Sequence, residues 1–381
     1  MTEAQEPRHI WVMAKGYAPD EGGMQSYAQG VAEAYAATGA RITVFGQSAA
    51  GPRRERVGPV FLIDIGSGKS ASVPLRLMQA MRQQLRRQGP PAFVHGTTWR
   101  TSLLPMLLGF PFVTTFHGRE FMSGGLPARW LMRRVVRTAK LVVAVSPYSA
   151  GRLQQRLGGD IAAPLVLWNG LSVAAPIEQD ATQPQPGRPP IILSLCRLEP
   201  RKNIAACVRA CAELRDAGLD FRYIIGGRGP ELSAIRALVN ELALGRMVKV
   251  VGRVPRHRLP TLYGMADIFL HPQIAVDDDR DFEGFGITIA DAMAHGTALI
   301  AGKAGGPGDI IDSGVTGLLV DGSDDAEIVV ALQQLIEDGT LRQRLGHKAR
   351  EHASSNFQWS RHVAGILHRL GIDKAKGSAE I

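Results

Sequence analysis

The chain has 381 residues, 45% of them hydrophobic and 21% charged, which is long for one domain, ample for two cores and incompatible with intrinsic disorder. Its three cysteines, Cys196, Cys207 and Cys211, are too few for a disulfide framework, lack His or Cys partners at zinc-site spacing, and point to a reducing compartment. The net charge of +9 sits wholly in the first half: residues 1–180 carry 20 Lys and Arg against 11 Asp and Glu, and residues 181–381 carry 24 of each, so the first half is expected to meet something anionic.

Met1 to Pro7 is short and polar, without the layout of a signal peptide. No uncharged apolar run reaches the roughly 18 residues of a membrane span. Both features predict a cytoplasmic protein. His9–Ala14 reads as a strand, 16–23 as a Gly- and Pro-containing loop, Met24–Thr38 as a helix and Arg41–Phe45 as the next strand. Further strands are expected at Val60–Ile65, Ala92–His95, Phe112–Phe116, Leu141–Ser146 and Leu165–Trp168. Apolar strands joined by helices predict a parallel sheet covered on both faces. Residues 176–190 hold five prolines and no apolar period, so they read as an extended linker.

The alternation then restarts. Strands are expected at Ile191–Cys196, Phe221–Ile225, Val248–Val251, Ile268–His271, Ala298–Ala301 and Gly317–Val320. Helices are expected at Asn203–Ala217, Glu231–Leu242, Leu259–Met265, Gly286–His295 and Ala326–Asp338. The α/β pattern therefore predicts two doubly wound, Rossmann-like domains: 1–175, then the linker 176–190, then 191–357. Ligands in such sheets bind at the carboxyl ends of the strands, and the cleft between two facing domains is the expected site.

Several short stretches carry chemistry. Gly22 and Gly23 open the first helix, where a bare backbone and a helix N-terminus suit an anion, although an ordinary turn reads the same way. Residues 196–203, CRLEPRKN, place Arg197 directly after a strand and Arg201 and Lys202 just before a helix that Asn203 is positioned to cap. Cations there can clamp a diphosphate. Gly226, Gly227 and Gly229 resemble half of a dinucleotide fingerprint, since Leu232 stands where its last glycine belongs. The most specific stretch runs from Glu283 through Gly284, Phe285, Gly286 and Ile287 to Asp291: two carboxylates eight positions apart across a Gly-rich turn into a helix. Gly305 and Gly306 form a further turn. Two other stretches do not carry a site. Gly68-Lys69-Ser70 resembles the end of a P-loop, but Ile63 replaces its required glycine. Asp277-Asp278-Asp279 with Asp281 resembles a D-x-D metal site, yet its place before Glu283 suits shaping of a pocket better than metal binding.

Taken in order, the GG loop, His117-Gly118, Arg-x4-Lys-Asn, the G-x-G-P turn, E-x7-acid and the late GG turn resemble the large GT4 family of retaining glycosyltransferases with the GT-B fold. The likeness runs from about residue 9 to Trp359, and Asn356-Phe357-Gln358-Trp359 resembles the start of the family's closing helix, here 358–381, which crosses back to the first domain. The resemblance implies an acceptor-binding first domain and a nucleotide-sugar-binding second domain. It implies that Gly22 and Gly23 give backbone donors to the diphosphate and that Arg197 and Lys202 hold the phosphates. Gly227 would line the donor site. Glu283, with amides of Gly284, Phe285, Gly286 and Ile287, would contact the sugar hydroxyls. Asp291, where the family has Glu, would hold the ribose. His117 would sit against the sugar near the reacting carbon. The implied reaction needs no metal and no cofactor beyond the nucleoside-diphosphate sugar. Ser146, Tyr148, Asn169 and Gly170 match recurring family loops of an architectural kind.

The helical stretches Leu75–Arg87 and Ala128–Lys140 are basic and amphipathic; the second mixes Trp130, Leu131 and Met132 with Arg129, Arg133, Arg134, Arg137 and Lys140. Such helices either pack on their sheet with a solvated face or lie on anionic headgroups. The expected protein is thus a transferase building a polysaccharide, lipopolysaccharide or lipid-linked glycan, with contact at the inner face of the cytoplasmic membrane. Transfer to a soluble acceptor and nucleotide-sugar 2-epimerisation on the same fold are the alternatives. Nucleic acid is excluded as a partner: with 6% aromatic residues the chain has no stacking clusters or nucleic-acid motif.

Overall fold

The computed structural model describes residues 7–17, 20, 22–48, 51–67, 72–158, 161–174 and 187–372. Gly68-Lys69-Ser70, most of the Pro-rich linker and the last nine residues lie outside them. The chain divides into two compact units, Met1–Gly170 with Gln358–Ile381, and Leu171–Phe357.

The first unit is built on eight strands: β1 (His9–Met13), β2 (Arg41–Gly46), β3 (Pro52–Val57), β4 (Val60–Ile65), β5 (Phe93–Gly96), β6 (Phe112–Phe116), β7 (Leu141–Ala144) and β8 (Leu165–Val166). Their order is β3-β4-β2-β1-β5-β6-β7-β8, parallel except that β3 runs antiparallel to β4. The expected strands are all present, and β3 is an addition. It was illegible because Pro52, Arg53, Arg54, Glu55 and Arg56 make it polar and largely exposed, which is what an unpaired sheet edge requires. The chain leaves β1 in both directions, so the strand order reverses between β1 and β5.

The closing helix, Trp359–Arg369, packs on the first helix, Gly23–Ala37. The fit is set by missing side chains. A Cβ at Gly30 would lie 2.2 Å from the Trp359 ring, and one at Gly170 would lie 2.5 Å from it. Glycine inside a helix costs about 0.5–1 kcal/mol relative to alanine. Here it admits the Trp359 indole.

The second unit has β9 (Ile191–Leu195), β10 (Arg222–Gly226), β11 (Val248–Gly252), β12 (Ile268–His271), β13 (Ala298–Gly302) and β14 (Leu318–Val320). The order is β11-β10-β9-β12-β13-β14, all parallel, with the reversal between β9 and β12. Cys207 and Cys211 are fully buried on the Ile204–Asp216 helix and pack into this unit's core with Ile192, Phe221 and Ile268. The Gly339–Asn356 helix, absent from the sequence reading, packs on the Ile287–Ala294 helix, where Gly346 lets it approach the Gly296 carbonyl.

Two boundaries differ from expectation. The second unit begins at Leu171, ahead of the Pro-rich stretch, because Ser172 and Val173 are hydrogen-bonded into it. Asn203 does not cap its helix through its side chain. It adopts a left-handed backbone (φ 56°) and donates from Nδ2 to the carbonyls of Gly322 and Pro272.

Candidate active site

In an open parallel sheet the strand-order reversal leaves a crevice at the strands' carboxyl ends. In the second unit that point lies between β9 and β12. The loop after β9 carries Arg197, Glu199, Arg201 and Lys202; β12 ends on His271; the loop after β12 carries Asp281 and Glu283. Topology alone thus brings together residues some 80 positions apart.

They form a dense ionic cluster. Glu283 Oε2 accepts hydrogen bonds from Lys202 Nζ and from Arg201 Nη1, the latter at 2.7 Å. Arg201 also reaches Asp281 Oδ1 at 3.2 Å and Glu199 Oε2 at 3.4 Å. Lys202 Nζ lies 3.2 Å from His271 Nε2. The lysine side chain is only 7% exposed. Burial pushes the Glu283 pKa up, but the Lys202 and Arg201 cations outweigh it and hold the carboxyl well below the usual range. Glu283 is therefore an anion at any working pH. His271 is fully buried, and burial with the Lys202 charge holds its pKa well below the ordinary value, so its ring is neutral.

The backbone around Glu283 is equally determined. Its carbonyl accepts from Gly306 N at 2.8 Å, and a Cβ at Gly305 would come within 2.3 Å of it. The late GG turn is thus a cradle for Glu283. Gly286, left-handed at φ 88°, starts the Ile287–Ala294 helix three residues later, and the first amides of a helix have no intrahelical acceptors. Gly284, Phe285, Gly286 and Ile287 form this turn between the carboxylate and the helix. Gly227, at φ 149°, is required for a different reason: a Cβ there would overlap the Cys196 carbonyl at 1.8 Å, so the glycine lets the β9 and β10 loops touch.

Two expected ligand-binding side chains are engaged with other partners in this structure. Arg197 does not join Lys202: its side chain is 72% exposed and pairs with Glu199 at 2.9 Å, while Arg201 is the arginine inside the cluster. Asp291, expected free for a ribose diol, is 1% exposed in the second turn of its helix. Its Oδ1 accepts from Ser172 N at 2.8 Å and Val173 N at 3.2 Å, and its Oδ2 accepts from Ser172 Oγ at 2.5 Å. It tethers the segment that enters the unit. Burial pushes its pKa up to about 6, only partly offset by those hydrogen bonds.

Of the four-aspartate stretch, Asp281 belongs to the ionic cluster. Asp277, Asp278 and Asp279 all have positive φ, in a turn that Arg280 pins through Asp277 and Asp278. Among the described residues no group of three or more His, Cys, Asp or Glu side chains is arranged to hold a metal.

In the first unit His117 follows β6. Its Nε2 donates to the Thr97 carbonyl at 2.8 Å, which leaves the lone pair on Nδ1, and burial lowers its pKa despite Glu120. Its amide and that of Gly118 both donate to the Glu120 carboxylate, at 2.7 and 2.9 Å. Ser149 donates to its carbonyl, and Ser146 caps the helix carrying Ser149, which gives the VSPYS loop its architectural role. Tyr27 stands edge-on to the His117 ring, centroids 4.5 Å apart. Gly22, at φ 152°, precedes the helix that begins at Gly23 and carries Tyr27. Sequence reasoning missed Glu120, His271 and Ser172. Glu120 alone had a local signal, a Glu two residues after a His-Gly pair at a helix start.

The description "Glycosyl transferases group 1" matches residues 177–352, and "Glycosyltransferase Family 4" matches residues 21–174. The GDP-mannose-dependent alpha-(1-6)-phosphatidylinositol monomannoside mannosyltransferase of Mycolicibacterium smegmatis is 30% identical over 296 residues, covering 72% of this chain and 76% of that protein. Sucrose-phosphate synthase from Thermosynechococcus elongatus superposes with a TM-score of 0.79 at 22% identity, over 95% of this chain and 98% of that one. Anabaena HepE, solved in complex with UDP and glucose, superposes with a TM-score of 0.75 at 19% identity, over 95% and 99%. At these identities the solved structures establish the fold: two parallel-sheet α/β domains of the GT-B class.

Proposed function

This chain belongs to the family 4, group 1 glycosyltransferases, and from that premise we propose that it transfers a hexosyl residue from a nucleoside-diphosphate sugar to a glycan hydroxyl, with retention and without a metal cofactor. The observation that carries the reading is the Lys202–Glu283 pair at the strand-order reversal, a cation for phosphate and an anion for sugar hydroxyls in one place. The M. smegmatis protein is named as GDP-mannose-dependent and HepE was solved with UDP, which supports a nucleoside-diphosphate donor. The phosphatidylinositol monomannoside in the former's name supports a lipid-linked acceptor.

The residues divide by how tightly they are held. Arg201 is fixed by three carboxylates and keeps Glu283 in place. Arg197 has a single exposed pair, a contact of about 0–1 kcal/mol, so it turns to a diphosphate at little cost. Lys202 and Arg197 then neutralise charge as it grows on the leaving group, the role a metal would otherwise fill. The acceptor oxygen bonds to the anomeric carbon on the face from which the diphosphate departs. The departing phosphate oxygen takes the acceptor proton, so no protein nucleophile is needed. Glu283 accepts from sugar hydroxyls. Turnover with UDP-, GDP- and ADP-sugars in excess chelator is expected to persist for one donor, with the donor's anomeric configuration kept in the product by NMR. Loss in chelator, or inversion, overturns the proposal. Lys202→Ala is expected to reduce turnover at least tenfold, about the worth of one charge-assisted hydrogen bond.

Contact with an anionic membrane is the second part of the proposal. No helix among the described residues is long and apolar enough to cross a membrane. On the basic Leu126–Thr138 helix, however, Leu126 is 79% and Trp130 60% exposed, one turn apart, with Arg134 over the indole at 5.8 Å. Leu107, on a helix packed beside it, is also exposed. An apolar tip flanked by arginines suits insertion between anionic headgroups. Flotation with anionic but not neutral vesicles, lost in Trp130→Glu, is the expected result.

A further inference from the structure

His271 stands inside the ionic cluster without a charge of its own. It ends β12, and its ring stacks on that of Phe269, two residues earlier on the same face of the strand, with centroids 5.9 Å apart and planes 8° apart. A lysine ammonium can only donate, so the His271 nitrogen that faces it, Nε2, must carry the lone pair and Nδ1 the proton. Among the described residues no acceptor meets that Nδ1. A buried polar group with one satisfied and one unsatisfied nitrogen costs stability, and the side chain does nothing else for the fold that a phenylalanine would not do.

We infer that His271 is a positioning residue: its Nε2 lone pair fixes the direction of the Lys202 ammonium, which also donates to Glu283, and gives it a second, uncharged partner. The physical reason is competition. With Glu283 as its sole partner, Lys202 would be neutralised by the carboxylate and would have to leave it to meet a phosphate. A neutral acceptor on a second side holds the ammonium without cancelling its charge. When a diphosphate arrives, Lys202 keeps its His271 bond and trades only the other contact. His271 thereby sets how much of the lysine's charge is available to the ligand, while touching no ligand itself.

The inference rests on the reading of Lys202 as a phosphate ligand, and the test separates the two. UDP, GDP and ADP, with the matching monophosphates, are titrated calorimetrically into the wild-type chain. The nucleoside that binds is then measured with His271→Phe, His271→Leu, His271→Gln, Lys202→Ala and the Lys202→Ala/His271→Phe pair. Phenylalanine and leucine remove the lone pair and fill the same apolar site, while glutamine returns an acceptor at the reach of Nε2. Lys202→Ala should remove most of the advantage of diphosphate over monophosphate. His271→Phe, or His271→Leu where phenylalanine does not fold, should weaken diphosphate binding about tenfold with little effect on monophosphate. His271→Gln should restore most of that loss. In the Lys202→Ala background His271→Phe should have no further effect. Wild-type diphosphate affinity in both apolar variants, or a loss that persists without Lys202, overturns the inference and leaves the phosphate reading standing. An intact diphosphate advantage in Lys202→Ala instead removes the phosphate reading, and His271 with it.

Discussion

The two units hold their functional polar side chains by different means. In the second, Glu199, Arg201, Lys202, His271, Asp281 and Glu283 are buried or half-buried as five ions and a neutral His, held by pairing. In the first, Tyr27 OH meets His362 Nε2 at 3.0 Å, Thr115 Oγ1 at 2.8 Å and His95 Nε2 at 3.3 Å, and Tyr35 OH meets His95 Nδ1 at 3.0 Å. Nothing in that network need be charged, and burial lowers the pKa of His95, His117 and His362 alike, the last to about 4. The difference teaches what each is built for. A neutral network fixes shape, here the seat of His117 against Tyr27 and the docking of the closing helix. A paired ionic cluster stores charge that a ligand can redirect, and its stability depends on every partner being present.

The largest expected effect comes from breaking one pair in the ionic cluster. Glu283→Gln keeps the shape and leaves Lys202 and Arg201 with less opposing charge. The expected cost is about 3–5 kcal/mol of stability in the second unit, by urea denaturation followed with hydrogen exchange. Removing both charges, with Lys202→Met added, should recover at least half of that loss. A single variant within about 0.5 kcal/mol of wild type would mean that the cluster is solvated and the contrast between the units is false.

Acid sharpens the same contrast. A buried His whose folded pKa is depressed is protonated first in the unfolded chain. Its contribution is complete above the unfolded value of about 6.5 and is lost as pH falls toward the folded one. For His362 that window runs from about 6.5 to about 4, with a ceiling of about 3 kcal/mol. Glu283 behaves differently: its depressed folded pKa means that its contribution is lost only once pH falls below the ordinary glutamate value. At pH 5 the amides of Gly23–Ala37 and Trp359–Arg369 should therefore lose more exchange protection, relative to pH 7.5, than those of β9 and β12, because three depressed histidines pack on those helices and His271 alone ends these strands. Equal loss in both units would remove the distinction.

Much of the fold was legible because its strands are apolar runs with sharp ends. Phe112–Phe116, Val60–Ile65 and Ile268–His271 were bounded to the residue. The elements missed are the ones whose burial is slight or rests on small side chains: Pro52–Val57 at the sheet edge, and Gly339–Asn356, which buries Leu341, Leu345, Gly346, Ala349 and Ala353 as a narrow stripe. In the site, Lys202 was visible as a cation between a strand end and a helix start, and Glu283 as a carboxylate before a Gly-rich turn. Whether Arg197 or Arg201 enters the cluster could not be read, since both follow the same strand and only the fold decides which meets Asp281. His271 read as the last residue of a strand. The Ser172–Asp291 contact spans 119 positions and leaves no trace in local pattern.

That contact supplies the smallest effect and the sharpest test of how far the family likeness extends. Asp291 is raised to about 6 by burial, against about 3.8 when unfolded. The sign is opposite to that of the histidines: the folded chain holds the proton more tightly, so this residue's contribution is full below pH 3.8 and is lost as pH rises through 6. Asparagine fits the same partners without a charge. Its Oδ1 can accept from the amides of Ser172 and Val173, and its Nδ2 can donate to Ser172 Oγ, which then serves as acceptor. Asp291→Asn should therefore match wild type near pH 4 and exceed it by about 1–2 kcal/mol at pH 7.5, well within the ceiling set by two units of pKa shift. Because the carboxylate is engaged inside its own unit, nucleoside-diphosphate affinity should change less than about twofold. A tenfold loss of affinity with unchanged stability would return Asp291 to the ribose and make Ser172 the residue that gives way.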